Sequence, residues 1–202
     1  MMDFYGKEMS MPTLILASGS PRRRDLLREA GLDPEIIPPA VVEFGAGDFP
    51  PHELCLRNAE LKAGEILKVH PDEFVIASDT VVALDGSVYG KPESLEEAAG
   101  NLRHFSGRVH QVMTGVVIFH GQDSLRFVEM SEVKFRDLSE EVIRKYLAKV
   151  SVLDKAGGYA IQSHGDWIVE EIKGDYQNIV GLPVAKVLAS LVQMGFPVPE
   201  AK

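Results

Sequence analysis

Short continuous apolar runs alternate along this chain with stretches of helical spacing, and that alternation predicts an α/β fold. Thr13-Leu14-Ile15-Leu16-Ala17 suits a buried strand. A helix over 21–30 follows, with Ser20 as its N-cap, Pro21 at the first helical position and Gly31 as its stop. A short strand over 35–37 leads into a Pro- and Gly-rich loop over 38–51, long enough to reach into a site, and then a helix over 51–69. Phe74-Val75-Ile76-Ala77-Ser78 is a strong strand that continues past Asp79-Thr80 into Val81-Val82-Ala83-Leu84 and an Asp85-Gly86 hairpin turn. Ser94-Leu95-Glu96-Glu97 is a capping box that opens a helix to about residue 105.

Two long strand patterns, 109–119 and 125–135, are joined across 120–124 as an antiparallel hairpin. Ser139 caps a helix to about residue 150, residues 154–162 read as irregular, and a strand is expected over 167–172. After a loop over 174–182 the closing helix starts at Pro183 and runs to about Met194. Neighbouring strands joined by helices in one half and by hairpins in the other predict a mixed sheet flanked by helices. Residues 1–12 read as a loose extension without a signal-peptide core, and 13–197 as a single domain.

Charge narrows the class. The chain has 202 residues and a formal net charge of −9. With a pI near 5.2 it lacks the broad positive field of a general nucleic-acid or membrane-surface binder. Cys55 is the only cysteine, which excludes an intrachain disulfide and favours a reducing, cytoplasmic setting.

Against that acidic background Arg22, Arg23 and Arg24 crowd the start of the first helix, in Leu16-Ala17-Ser18-Gly19-Ser20-Pro21-Arg22-Arg23-Arg24. Helix N-terminal N–H groups and guanidinium donors together form an anion site; the alternative is a solvated basic first turn. Asp79 interrupts two apolar runs, where an unpaired carboxylate would be costly to bury. It is a general base or metal ligand, or else an aspartate satisfied by backbone N–H groups at a strand bend. Lys91 is constrained between Gly90 and Pro92, although a lone lysine is ordinarily a surface residue, as Lys62 and Arg57 would be. Glu43 on the Pro/Gly-rich loop could add a carboxylate to a cation site, and Gln162 offers an amide able to read both edges of a base. There is no Walker loop, no GxGxxG, no GxSxG and no zinc-ligand spacing among the histidines, His104 and His110 reading as surface or core imidazoles. Arginines, lysines and carboxylates without a thiol or zinc centre suit phosphate chemistry assisted by Mg²⁺ or Mn²⁺.

The chain resembles the Maf-like nucleoside triphosphate pyrophosphatases. The resemblance rests on the arginine segment, Ser78-Asp79-Thr80-Val81-Val82, Gly90-Lys91-Pro92, Ser106-Gly107-x-x-His110-x-Val112-x-Thr114-Gly115, Asp154-Lys155-Ala156-Gly157-Gly158-Tyr159-Ala160-Ile161-Gln162 and Gly181-Leu182-Pro183, in the family's order. It implies an α/β fold related to that of inosine triphosphate pyrophosphatases, with two lobes around a cleft. It also implies cleavage between the α- and β-phosphates with a divalent cation, Mg²⁺, Mn²⁺ or Co²⁺. By the same resemblance Asp79 is the proton acceptor, Lys62 and Lys91 are phosphate-side lysines, Glu43 joins Asp79 in holding the metal, and Ser18, Arg22 and Arg23 form the substrate-binding segment.

Arg22, Thr80 and Gln162 look like the dTTP/UTP branch, whereas the 7-methyl-GTP branch carries an aromatic residue, a glutamine and a glutamate there. Gly158 and Ala160 depart from that branch, which often has alanine and glycine in the opposite order. The rival readings are a pyrophosphatase of 7-methyl-GTP or other modified nucleotides, and a nucleotide-binding regulator of septum formation. A nucleoside triphosphate is the expected partner and a homodimer the assembly that the family suggests.

Overall fold

The computed structural model describes residues 12–199, so the expected extension over 1–12 lies almost wholly outside the described residues. In chain order the elements are β1 (Leu14–Leu16), α1 (Pro21–Glu29), β2 (Glu35–Ile36), α2 (Pro51–Leu67), β3 (Phe74–Leu84), β4 (Ser87–Tyr89), α3 (Leu95–Phe105), β5 (Val109–His120), β6 (Asp123–Phe135), α4 (Glu140–Leu147), α5 (Gly165–Ile168), β7 (Val169–Lys173), α6 (Tyr176–Val180) and α7 (Val184–Gln193). A 3₁₀ turn, Ala156–Gly158, lies in the irregular segment.

The strands form one mixed sheet in the order β2-β1-β3-β5-β6-β7, with β4 also paired to β3. β1 runs parallel to β2 and β3, and the other pairings are antiparallel, as the change from helix-linked to hairpin-linked strands predicts. Two expectations need correction. The stretch read as the beginning of a strand at Trp167 is the helical turn α5, and the strand starts at Val169. The expected loop before Pro183 contains α6, a helix too short to show a period, opened by Asp175 accepting a hydrogen bond from Gln177 N.

Side-chain alternation along β3 organises the core. Phe74 and Ile76 join Leu14 and Leu16 against α1 and α7, whereas Val75 and Ala77 join Ile15 and Ala17 against α2. Further along, Val82 and Leu84 belong to a cluster with α3, α4 and the aromatic side chains of Phe105, Phe135 and Tyr159, while Val81 packs with Leu54 and Cys55. Each face of the sheet thus carries two apolar clusters in succession, and Asp79 and Thr80 fall at the boundary, one on each face.

The edge of β3 is open at the same point. One edge is covered by β5 from Val75 to Ala83. On the other, β1 pairs as far as Ile76, and β4 pairs only from Val82 onward. Among the described residues no strand pairs with that edge between these two, so the carboxyl end of β1 and the turn into α1 face a fork in the sheet. Open α/β sheets bind ligands at such places.

Candidate active site

At the fork lies a cleft of about 440 Å³ lined by Ser18, Arg22, Arg23, Glu43, Lys62, Asp79, Thr80, Lys91 and Gln162, among others. All nine residues singled out in the sequence are therefore brought together. Arg57, weighed as a solvated residue, is elsewhere: it pairs with Glu53 and lies over the ring of Phe49.

Asp79 is buried and faces α2. Lys62 Nζ donates to its Oδ1 at 2.7 Å, and Asn58 Nδ2 donates to Oδ2 at 3.3 Å. The same ammonium lies 2.7 Å from Glu43 Oε2, so one cation joins both carboxylates. The close approach of α2 depends on Gly115, the cross-strand partner of Asp79. A β-carbon at Gly115 would lie 2.5 Å from the backbone carbonyl carbon of Cys55. Nearby, burial raises the Cys55 thiol to about 12, with the charge of Asp79 adding to the effect, so it stays protonated at neutral pH.

On the opposite face Arg23 braces the floor of the cleft. Its guanidinium donates to Gly181 O at 3.0 Å, Ser18 Oγ at 3.2 Å and Thr80 Oγ1 at 3.1 Å. Burial pushes it below the ordinary arginine range, the negative charge of Asp79 pulling the other way. Thr80 Oγ1 also lies 3.0 Å from Thr114 Oγ1, which donates to Asn178 O. Ser20 occupies the N-cap position but its side chain makes no cap hydrogen bond; Ser18 Oγ accepts from Ser20 N instead. Arg22 reaches across the cleft to Asp154 Oδ2 at 2.8 Å. Partial burial disfavours the Asp154 carboxylate, but hydrogen bonds from Lys155 and Arg22 outweigh it and lower its pKa to about 2.

The glycine-bearing segment is held from behind. Gly157 N donates to Gly90 O at 2.9 Å, which ties the segment to the base of Lys91. Tyr146 Oη donates to Ala160 O at 2.9 Å and accepts from Ala160 N at 2.8 Å, two residues before Gln162. Gly158 has φ +74°, a conformation that suits glycine better than alanine. His110 is a core residue with Nε2 2.8 Å from Tyr159 Oη, and His104 is exposed on α3.

The sequence model of the family described as "Maf-like protein" matches residues 13–194. The chain belongs to the Maf-like protein family. A dTTP/UTP pyrophosphatase of Akkermansia muciniphila is 45% identical to it over 186 residues, covering 92% of this chain and 98% of that relative. Proteins of the same name from Dictyoglomus thermophilum and Pyrococcus furiosus are 41% and 40% identical, covering 91% and 92% of this chain and 96% of each relative. Among solved structures the Staphylococcus aureus Ham1 protein superposes with a TM-score of 0.51 at 15% identity, over 90% of this chain and 98% of its own. That likeness concerns the fold, and it agrees with the expected relation to the inosine triphosphate pyrophosphatase fold.

Of the other members of this Maf-like site, Asn58 lies in no motif, whereas Thr114 and Asp154 stand within motifs that carry the resemblance. Asn58 could have been found from spacing, since it precedes Lys62 by one helical turn on a stripe otherwise made of Leu54, Cys55, Ala59, Ala63 and Ile66. Among the described residues no cluster of three or more His, Cys, Asp or Glu could cage a metal. Two hard carboxylates sharing one ammonium do mark a place that favours positive charge. This fits Mg²⁺ or Mn²⁺ held by one or two carboxylates together with substrate phosphates. Among the described residues no helix is long and apolar enough to cross a membrane.

Proposed function

We propose that this Maf-like protein hydrolyses dTTP and UTP between the α- and β-phosphates, releasing the nucleoside monophosphate and pyrophosphate. The observation that carries the reading is the Asp79 carboxylate, fixed by Lys62 and Asn58 in a cleft that also presents Arg22, Lys91 and Gln162. Relatives named dTTP/UTP pyrophosphatase, similar over nine-tenths of the chain, support it.

In this reading Asp79 accepts a proton from a water whose oxygen bonds to the α-phosphorus, while the bond from that phosphorus to the bridging oxygen breaks and pyrophosphate departs with the electron pair. Lys62 and Asn58 keep the carboxylate oriented. Arg22, at the first turn of α1, and Lys91 stabilise the negative charge that grows on the phosphates, and Arg23 and Ser18 hold the turn that presents them. Thr80 and Gln162, with Arg22, select the base. Glu43 and Asp79 would hold a divalent cation, Mg²⁺, Mn²⁺ or Co²⁺, which when bound neutralises phosphate charge. The same reading gives the chain a cytoplasmic setting and a homodimeric assembly.

The test is turnover of a nucleotide panel with Mg²⁺, Mn²⁺ or Co²⁺ present and the products identified. Monophosphate plus pyrophosphate from dTTP and UTP is expected, and Asp79→Asn should lower the rate by about a hundredfold or more while leaving a folded protein that binds nucleotide. Faster turnover of 7-methyl-GTP or inosine triphosphate would overturn the choice of substrate. Binding without any monophosphate would overturn the enzymatic reading in favour of a regulator.

A further inference from the structure

Asn58 lies at the centre of α2 and is almost fully buried, yet it serves no helix cap or turn. Its side-chain amide makes three hydrogen bonds. Nδ2 donates to Phe44 O at 3.1 Å and to Asp79 Oδ2 at 3.3 Å, and Oδ1 accepts from Phe44 N at 2.8 Å. One backbone unit of the loop is therefore gripped by both its donor and its acceptor, and the same side chain reaches Asp79.

Only an amide fits that set of partners. The two acceptors, a carbonyl and a carboxylate, require an N–H on one side, and the Phe44 N–H requires an oxygen on the other. The opposite orientation of the amide would set its oxygen against both acceptors. An aspartate at position 58 would place a second carboxylate against Asp79, and a leucine would leave the backbone polar groups of Phe44 and an oxygen of Asp79 without this partner.

The rest of the loop is anchored at its far end, where the Phe44 ring meets Phe49, which packs against Leu54 and Cys55 beneath the Arg57 guanidinium. Residues 42–48 are all exposed, and the bond between Gly45 N and Asp48 Oδ2 lies within the loop. Glu43 precedes the gripped residue, and its carboxylate meets Lys62, one turn beyond Asn58 on the same helix. Adjacent turns of α2 thus secure the loop, one by its backbone and one by its acidic side chain.

We propose that Asn58 is a positioning residue that couples the Glu43 loop to Asp79, so that the two carboxylates keep a fixed separation. The inference rests on the pyrophosphatase reading for its consequence, but the grip itself does not. A loosened loop leaves Glu43 free to leave the cleft, which raises the cost of assembling both carboxylates around a bound cation.

The experiment compares the full chain with Asn58→Leu and Asn58→Ala, the second being a small, helix-favouring replacement in case leucine prevents folding. Amide hydrogen exchange at Phe44 reads the grip without nucleotide, and kcat, KM for dTTP and the Mn²⁺ concentration for half-maximal rate read its consequence. In the folded variant, exchange at Phe44 should accelerate about tenfold or more while exchange in the β3 core stays unchanged. The kcat should fall about tenfold with KM for dTTP within about threefold, and the Mn²⁺ requirement should rise; a Glu43→Gln background should remove most of that rise. Unchanged exchange at Phe44 overturns the grip. Faster exchange with kcat and Mn²⁺ requirement unchanged overturns the positioning role. If the unaltered chain cleaves no nucleotide, the proposed function fails, whereas the exchange result still decides the grip.

Discussion

The ammonium of Lys62 lies 2.7 Å from the carboxylate of Asp79, both side chains being almost wholly buried, and it also holds Glu43 at 2.7 Å. Replacing Lys62 by methionine keeps the length and apolar packing of the stem but leaves two carboxylates facing each other without their cation. Removing one partner of a buried pair costs about 3 kcal/mol or more. Urea unfolding of Lys62→Met should show a loss of that order, partly recovered when Mg²⁺ is added, because a divalent cation favours the same place. Stability equal to that of the unaltered chain would mean that Asp79 does not depend on this pair.

The buried His110 makes stability sensitive to acid. Burial lowers its pKa from 6.5 to about 3, with the ring stacked on Phe105 and bonded to Tyr159. In the unfolded chain it takes up a proton below 6.5, whereas in the folded protein it stays neutral to about 3. Its contribution is therefore fully present above 6.5 and is lost as pH falls toward 3. The loss is about 1.4 kcal/mol per pH unit once the unfolded imidazole is protonated. His110→Phe should be less stable near neutrality, since Tyr159 Oη loses its partner, yet its stability should fall less steeply in acid. Unfolding free energies measured at several pH values check this, and parallel slopes would exclude His110 as the cause.

Much of the fold was legible because β3 is long and apolar, and its alternation already assigns Asp79 and Thr80 to opposite faces of the sheet. The contacts that make the cleft were not. Arg22 meets Asp154 across 132 residues and Arg23 meets Gly181 across 158, separations on which local pattern carries no information. Nor could charge alone tell Arg57 from Lys62 on α2. They differ because Lys62 shares the buried stripe with Asn58, whereas Arg57 faces the rim and Phe49. The helix α6 escaped notice because five residues are too few to reveal a helical period.

Gly115 is required by distance. A β-carbon there would sit 2.5 Å from Leu56 N and 2.6 Å from Cys55 O, and backbone cannot yield as a flexible side chain would. Gly115→Ala should push α2 away from the sheet, carrying Asn58 and Lys62 from Asp79. A loss of about 1–3 kcal/mol in unfolding free energy is expected from the overpacking. Turnover should fall further than stability predicts, since the folded fraction would itself be impaired. A folded Gly115→Ala protein with normal kcat would show that the spacing of α2 is not critical.

The three consecutive arginines that open α1 have different partners, and this can be measured. Arg24 pairs with its neighbour Asp25 on the exposed side of the helix, whereas Arg22 lines the cleft and holds Asp154 at 2.8 Å. Because Lys155 and Arg22 keep Asp154 ionised down to about 2, its share of stability is complete above the ordinary value of 3.8 and is lost only toward 2; the contact persists throughout the neutral range. In the proposed reading, substrate phosphate then competes with Asp154 for the Arg22 guanidinium. Arg22→Trp removes the charge and fills the space, so kcat/KM for dTTP and UTP should fall about tenfold or more, the worth of a charge-assisted hydrogen bond. Arg24→Ala should stay within about twofold, as expected for an exposed pair. Equal losses in the two variants would mean that the arginines act as one undivided basic patch and that Arg22 has no selective role.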